Sequence, residues 1–194
     1  MIKFDVIVIG GGLAGMTAAT AIQQAGLSCA VIRAGLSLSN PSCDDFVKAG
    51  GRIIFDKVCD GVFDDSVLRG VHTGKLGATL LEAREFVLAT GKFFSMGLAA
   101  DMDRVYETVF GLDTEYEEDR SKWFGASFSA EQPFLGFGVK TQDGLALKGG
   151  EPVKNLRPAG EILAGISNAG GDASETIRNS ALDAAKSIIE LCRK

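Results

Sequence analysis

An apolar β-branched run, Val6-Ile7-Val8-Ile9, stops at Gly10-Gly11-Gly12-Leu13-Ala14-Gly15 and continues into Met16-Thr17-Ala18-Ala19. No other feature limits the fold as tightly. The run reads as a strand buried on both faces, and the small residues after it as a helix lying close to that strand. Gly-x-Gly-x-x-Gly between a strand and a helix is the turn of a dinucleotide-binding fold. Gly10 permits the sharp turn, Gly12 lets a pyrophosphate approach the backbone, and Gly15 lets the helix rest on the sheet. The helix start, with Leu13 and Ala14, offers free N–H groups and a partial positive charge to phosphates. The alternative is a purely structural glycine turn.

The chain has 194 residues, room for one domain or for one domain with a small appendage. A hydrophobic content of 46% and a charged content of 23% are those of a globular protein with a core. The glycines cluster before helices and turns without a repeat, which excludes collagen and low-complexity disorder. A net charge of −5 without a basic run argues against a nucleic-acid partner. Cys29, Cys43, Cys59 and Cys192 show no Cys-x-x-Cys spacing, and there is one histidine, so no zinc or iron–sulfur site is expected. This cysteine usage fits a reducing cytoplasm. No apolar run is long enough to span a bilayer, so direct membrane insertion is not expected.

The predicted fold class is α/β: a Rossmann-like domain with a parallel central sheet, a three-stranded β-meander and a small appended Phe-rich lobe. Phe4–Ile9, a helix over Leu13–Ala25 and Ser28–Ile32 form one βαβ unit. A short helix over Asp44–Ala49 and a strand over Arg52–Phe55 follow. The meander is read as Lys57–Val62, Val67–His72 and Leu76–Ala83, with a further strand over Glu85–Ala89. Seven of the twelve phenylalanines, together with Trp123, lie between Lys92 and Pro152, which predicts a lobe with its own mini-core. Asn155–Ala159 reads as the last strand and Thr176–Leu191 as an amphipathic helix. The expected division is a dinucleotide-binding domain over 1–91 plus 153–194 and an inserted lobe over 92–152.

Ile32, Arg33 and Ala34 end the second strand, where such folds usually place a carboxylate on the adenosine ribose. Arg33 cannot accept those hydrogen bonds. It either pairs with a phosphate or is a solvated strand-end cation. Val58, after the third strand, is placed to turn its backbone toward an adenine. Ala89-Thr90-Gly91 and Pro158-Ala159-Gly160-Glu161 both bring a strand to a small-residue turn.

The order of strand, meander, Ala-Thr-Gly and late Gly-Glu resembles the two-dinucleotide-binding-domain flavoproteins. That resemblance implies Thr90-Gly91 near a pyrophosphate and Gly160-Glu161 near a ribityl chain. Thr90-Gly91-Lys92-Phe93-Phe94-Ser95-Met96-Gly97-Leu98, Gly111-Leu112-Asp113 and Gly136-Phe137-Gly138-Val139 narrow it. They resemble the B-type subunit of bacterial anaerobic glycerol-3-phosphate dehydrogenase over nearly the whole chain. The resemblance implies FAD, with FMN as second choice, in an oxidoreductase whose electrons pass from a small hydroxy substrate via the flavin toward quinone. It also implies other dehydrogenase subunits as partners. Members of that family are much longer, chiefly between the second and third strands, and a shortened link there would uncover surface that favours a homo-oligomer.

The family is glycine-rich before its last helix, where this chain has Gly170-Gly171-Asp172-Ala173-Ser174-Glu175. The resemblance places Gly170 and Gly171 at the flavin. Asp172 and Glu175 are read as a capping-box-like pair, with carboxylates pointing at the flavin as the alternative. Lys92 and Arg157 are the best cationic candidates near a flavin, with a solvated surface position as the alternative for either. No Ser-His-Asp set and no paired carboxylates are recognised; a flavin brings its own redox chemistry. Two other readings stay open: a degenerate flavoprotein scaffold acting through protein–protein contacts, and a reductase module that binds NADP through Arg33.

Overall fold

A computed structural model of the chain describes residues 2–35, 41–127, 130, 132–167 and 173–193. Strand β1 (Ile2–Ile9) leads through helix α1 (Leu13–Gln24) to β2 (Cys29–Arg33); α2 (Pro41–Lys48) leads to β3 (Arg52–Phe55). β4 (Val58–Asp64), β5 (Val67–Thr73) and β6 (Leu81–Leu88) follow. Eight short strands come next: β7 (Leu98–Ala100), β8 (Val105–Glu107), β9 (Thr114–Glu115), β10 (Gly138–Val139), β11 (Thr141–Gln142), β12 (Leu145–Lys148), β13 (Glu151–Pro152) and β14 (Leu156–Pro158). Helix α3 (Ser174–Cys192) comes last.

The main sheet runs β3-β2-β1-β6-β5-β4, with β14 also on β6. β3, β2, β1, β6 and β14 are parallel, and β4–β5–β6 form an antiparallel meander. β1 explains its own sequence. Val6 and Val8 face a layer of α1, α2 and α3 that includes Met16, Phe46 and Ile188. Ile7 and Ile9 face the other way, toward Phe86, Leu88 and the residues that follow. A strand covered on both faces needs an unbroken apolar run rather than alternation.

The third meander strand departs from expectation. In place of two strands over Leu76–Ala83 and Glu85–Ala89 there is one, Leu81–Leu88. Its first residues pair with β5 (Val71↔Leu81, Gly70↔Glu82), while its full length runs beside β1. The polar Arg84-Glu85 step does not interrupt it, because Arg84 is exposed and Glu85 bonds Arg157 at 2.5 Å. Helix α2 starts earlier than expected, at Pro41, a residue suited to a first helical turn.

The Phe-rich segment does not have a core of its own. Leu98, Val105, Phe110, Leu112, Trp123 and Phe137 join Ile7, Ile9, Phe86 and Leu88 in one continuous cluster. Trp123 meets Phe137 edge-on at 5.4 Å and donates its indole N–H to the Glu117 carbonyl at 2.6 Å. No helix among the described residues is long and apolar enough to cross a membrane.

Candidate functional site: a cleft at the carboxyl ends of β1, β2 and β6

The parallel strands end together, and a cleft of about 710 Å³ opens above them. Ligands in open α/β sheets bind at such strand ends. Gly10, Gly12, Leu13 and Ala14 line it from the first turn, and Ile32, Arg33 and Ala34 from the end of β2. Val58, Thr90, Gly91 and Glu161 complete the expected set that borders the cleft. Residues far apart in sequence are thus brought to one cavity.

Gly15 and Gly160 lie behind the lining and shape it. A Cβ on Gly15 would fall 1.9 Å from the Gly10 carbonyl oxygen, so only glycine lets α1 sit this close to the turn. Gly160 has φ +76°, and a Cβ there would fall 2.5 Å from Ala14 Cβ. Gly12 is different: nothing lies within 4 Å of its missing Cβ, so its bare face opens to space. Gly170 and Gly171 lie outside the described residues, as does Asp172 of the expected capping pair. The residue before α3 is Ala173, and no side-chain cap bond is made there.

Arg33 turns back over the glycine turn. A Cβ on Gly11 would lie 2.9 Å from Arg33 Cδ and 3.2 Å from its Nε. Its Nη1 donates to Cys43 Sγ at 3.5 Å, and no ion pair holds it among the described residues. The guanidinium is therefore aimed along the cleft wall, not out from the strand end. Arg157 is a correction. It pairs with Glu85 behind the sheet, in register with Val87 on the helix side, and does not border the cleft. Lys92 is buried beneath the turn that follows Gly91, beside a smaller adjoining chamber.

Several lining groups escape sequence reasoning. Asp56 and Lys57 follow β3, and the Asp56 carboxylate accepts backbone N–H bonds from Lys57 and Lys75, both at 2.8 Å. Phe94, Ser95 and Met96 form one rim together with Thr108 and Val109, the Thr108 hydroxyl donating to the Met96 carbonyl at 2.6 Å. The spacing Gly91…Gly97 is the available signal for that rim. A Cβ on Gly97 would fall 1.9 Å from the Gly91 carbonyl oxygen, so two glycines pinch the loop shut and present Phe94 to Met96 outward. Met96 takes φ +63° within it.

Three observations test the cleft against a dinucleotide cofactor. Thr90 Oγ1 is buried without a hydrogen-bond partner among the described residues, which is unusual for a buried hydroxyl. The first turn of α1 has no side-chain cap, so its amides remain available to an anion. The open face of Gly12 leaves space for a group to approach the backbone. The residues present fit the group.

A family profile described as "FAD binding domain" matches residues 5–43 and 39–173. The chain belongs to the FAD binding domain family. Both matched stretches carry the cleft, from Gly10 to Glu161, and FAD is the cofactor this membership supports. The B-type subunit of anaerobic glycerol-3-phosphate dehydrogenase from Aliivibrio fischeri strain MJ11 is 37% identical over 171 residues, 80% of this chain and 38% of that protein. The same subunit from Vibrio cholerae serotype O1 strain M66-2 is 36% identical over 135 residues, 68% of this chain and 31% of that protein. The chain thus spans well under half the length of these relatives. Among solved structures, Thermovibrio ammonificans THI4 superposes with TM-score 0.61 at 14% identity, covering 99% of this chain and 91% of that one. A thioredoxin reductase from Gloeobacter violaceus gives 0.59 at 13% identity, covering 100% and 96%. These two share the fold.

Proposed function

We propose that the cleft holds FAD with its adenosine end toward Arg33 and Val58, its pyrophosphate over Gly12 and the start of α1, and its flavin end past Thr90-Gly91 and Glu161. On this reading the chain is the flavin-carrying part of an oxidoreductase subunit like the dehydrogenase subunits it resembles. When bound, the flavin supplies the redox chemistry. The chain's own residues bind and orient it. The amides of Leu13 and Ala14 donate to phosphate oxygens, Arg33 adds a cation along the same wall, and Ile32 and Val58 exclude water from the adenine. The observation that carries the reading is the convergence of the glycine turn, Thr90-Gly91 and Glu161 on one cavity at the uncapped start of α1.

The resemblance to glycerol-3-phosphate dehydrogenase extends this proposal to transfer of electrons from a small hydroxy substrate toward quinone, in company with other dehydrogenase subunits in the cytoplasm. The shortened link between β2 and β3 adds self-association to the reading.

A second reading is favoured by Arg33, a cation where the ribose carboxylate usually stands, and by Phe94, 99% exposed at the cleft mouth. In it the chain is a non-catalytic flavoprotein scaffold that docks through its Phe-rich rim. The visible spectrum of the purified protein separates the two. Bands of oxidised flavin, with FAD released on denaturation, are expected; FMN in its place would revise the cofactor only. A colourless protein that takes up neither added FAD nor FMN overturns the first reading in favour of the scaffold.

A further inference from the structure

Thr108 and Val109 of the cleft rim follow a carboxylate that does not itself border the cleft. Glu107 ends β8, pairs with Leu98 of β7 and is 2% exposed. Carboxylates are seldom buried unless paired, and among the described residues Glu107 has no cation within ion-pair distance. Its partners are backbone amides instead. Oε1 accepts from Val109 at 2.8 Å, and Oε2 accepts from Phe110 at 2.7 Å and from Leu112 at 3.4 Å. Burial pushes the carboxylate up, and these amides, with that of Gly111, act the other way. An ionised carboxylate only accepts, so it suits a ring of N–H donors. The turn after β8 is folded around an anion that the chain supplies itself.

That turn sets Thr108 in the rim. The Thr108 amide donates to the Gly97 carbonyl at 3.2 Å, and its hydroxyl donates to the Met96 carbonyl at 2.6 Å. Gly97 lies against the turn after β6, where a Cβ on it would fall 2.6 Å from Thr90 Oγ1. A continuous path of bonds and contacts therefore runs from Glu107 through Thr108 and Gly97 to Thr90. Asp113 shows the same chemistry without that path. Its carboxylate accepts from the amides of Gly149 at 2.9 Å and Gly150 at 2.7 Å, between β12 and β13, and it does not border the cleft.

We propose that Glu107 is a positioning residue: held by the amides of Val109, Phe110 and Leu112, its carboxylate fixes the Thr108–Val109 part of the cleft wall and thereby sets how firmly FAD is retained. The fixing of the wall rests on the bonds above, and only its effect on FAD rests on the cofactor reading.

The test compares the whole parent chain with Glu107→Gln and Asp113→Asn by amide hydrogen exchange and by FAD titration followed by flavin fluorescence. Glutamine keeps the size of the side chain and turns one acceptor into a donor that faces an N–H. Loss of a hydrogen bond to a charged group should speed exchange at Thr108, Val109 and Phe110 about tenfold or more in Glu107→Gln. Asp113→Asn should leave those three amides unchanged and speed Gly149 and Gly150. FAD should bind Glu107→Gln about fivefold more weakly or worse, and Asp113→Asn as it binds the parent. Coupling is reciprocal, so saturating FAD should slow the Thr108 amide of the parent by a similar factor, a measurement that decides the matter if Glu107→Gln does not fold. Thr108 exchange or FAD affinity unchanged in Glu107→Gln overturns the proposal. So does an equal loss of FAD affinity in Asp113→Asn, which marks general loosening, or a parent Thr108 amide indifferent to bound FAD. A parent that takes up no FAD refutes the cofactor reading alone, and exchange at Thr108 in Glu107→Gln then decides whether Glu107 fixes the wall.

Discussion

Gly12 and Gly15, on the same turn, should fail in opposite ways when substituted. In Gly15→Ala the new methyl lands 1.9 Å from the Gly10 carbonyl oxygen and 2.9 Å from its carbon. Both are backbone atoms, so no rotamer relieves the contact, and overpacking of this kind costs about 1–3 kcal/mol. Alanine recovers about 0.5–1 kcal/mol in a helix. The net loss should be about 1–2 kcal/mol, seen without any ligand. Gly12→Ser meets nothing within 4 Å and sits at φ −79°, ψ −168°, extended backbone at a helix N-cap where serine is favoured. The ligand-free protein should be as stable as the parent or better by a few tenths of a kcal/mol. The added atoms fill the space that the proposed binding mode gives to the pyrophosphate. FAD at a hundred times its Kd stabilises by about 2.7 kcal/mol, and a tenfold weaker Kd leaves about 1.4. Urea unfolding with and without FAD reads both effects, since the midpoint moves by the change in free energy divided by a slope of about 1–3 kcal/mol/M. Two results would refute the reasoning: Gly12→Ser with the full ligand-induced shift, or Gly15→Ala with parental stability in the absence of ligand.

Titration of buried groups gives two more expectations. Lys92 has a folded pKa of about 8 against 10.5 in the unfolded chain, so between these values the unfolded state holds a proton that the native state has released. Stability relative to Lys92→Met should rise as pH increases from about 8 toward 10.5, by at most about 3 kcal/mol, measured by urea unfolding at stepped pH; a flat or falling difference would refute the burial of the ammonium. Burial pushes the Cys29 thiol up to about 12, and Cys43 is also buried, whereas Cys59 is exposed. A disulfide reagent at about pH 8 should modify Cys59 at once and reach Cys29 and Cys43 only after denaturation; prompt loss of the Cys29 thiol in the native protein would show that β2 opens.

The elements that make the site legible in the sequence are those whose chemistry is local. Val6–Ile9 and Gly10–Gly15 carry their own geometry, because a buried parallel strand needs an apolar run and the turn needs glycines at set offsets. Thr90-Gly91 and Gly160-Glu161 are readable because each ends a strand with a small residue in sequence, which is where the cleft lies in space. The fusion of two expected strands into Leu81–Leu88 is not readable, since it depends on Arg157 arriving from β14 to pair with Glu85. Arg157 is misplaced for the same reason: a strand-end arginine looks alike whichever face of the sheet it takes. The Phe-rich segment misleads because composition counts aromatic residues without saying which surface they cover. Phe110 and Trp123 cover one face of the sheet whose other face α1 and α3 cover.

The short connection between β2 and β3 shows what the dinucleotide-binding unit requires. The chain matches only 38% of the Aliivibrio fischeri protein, yet β1-α1-β2 and β2-α2-β3 both join parallel neighbours in one sheet. Helix α2 is enough: Phe46 is fully buried against the sheet, and its ring lies so close to Gly51 that a Cβ there would fall 2.2 Å from it. That one contact brings the chain directly from the helix into β3, with Ile53 and Ile54 in register with Val31 and Ile32. Asp56, Lys57 and Val58 then reach the far wall of the cleft without any further chain between the second and third strands. Whatever the longer relatives carry elsewhere, the described part of the cleft is built from strand ends and the turns that follow them.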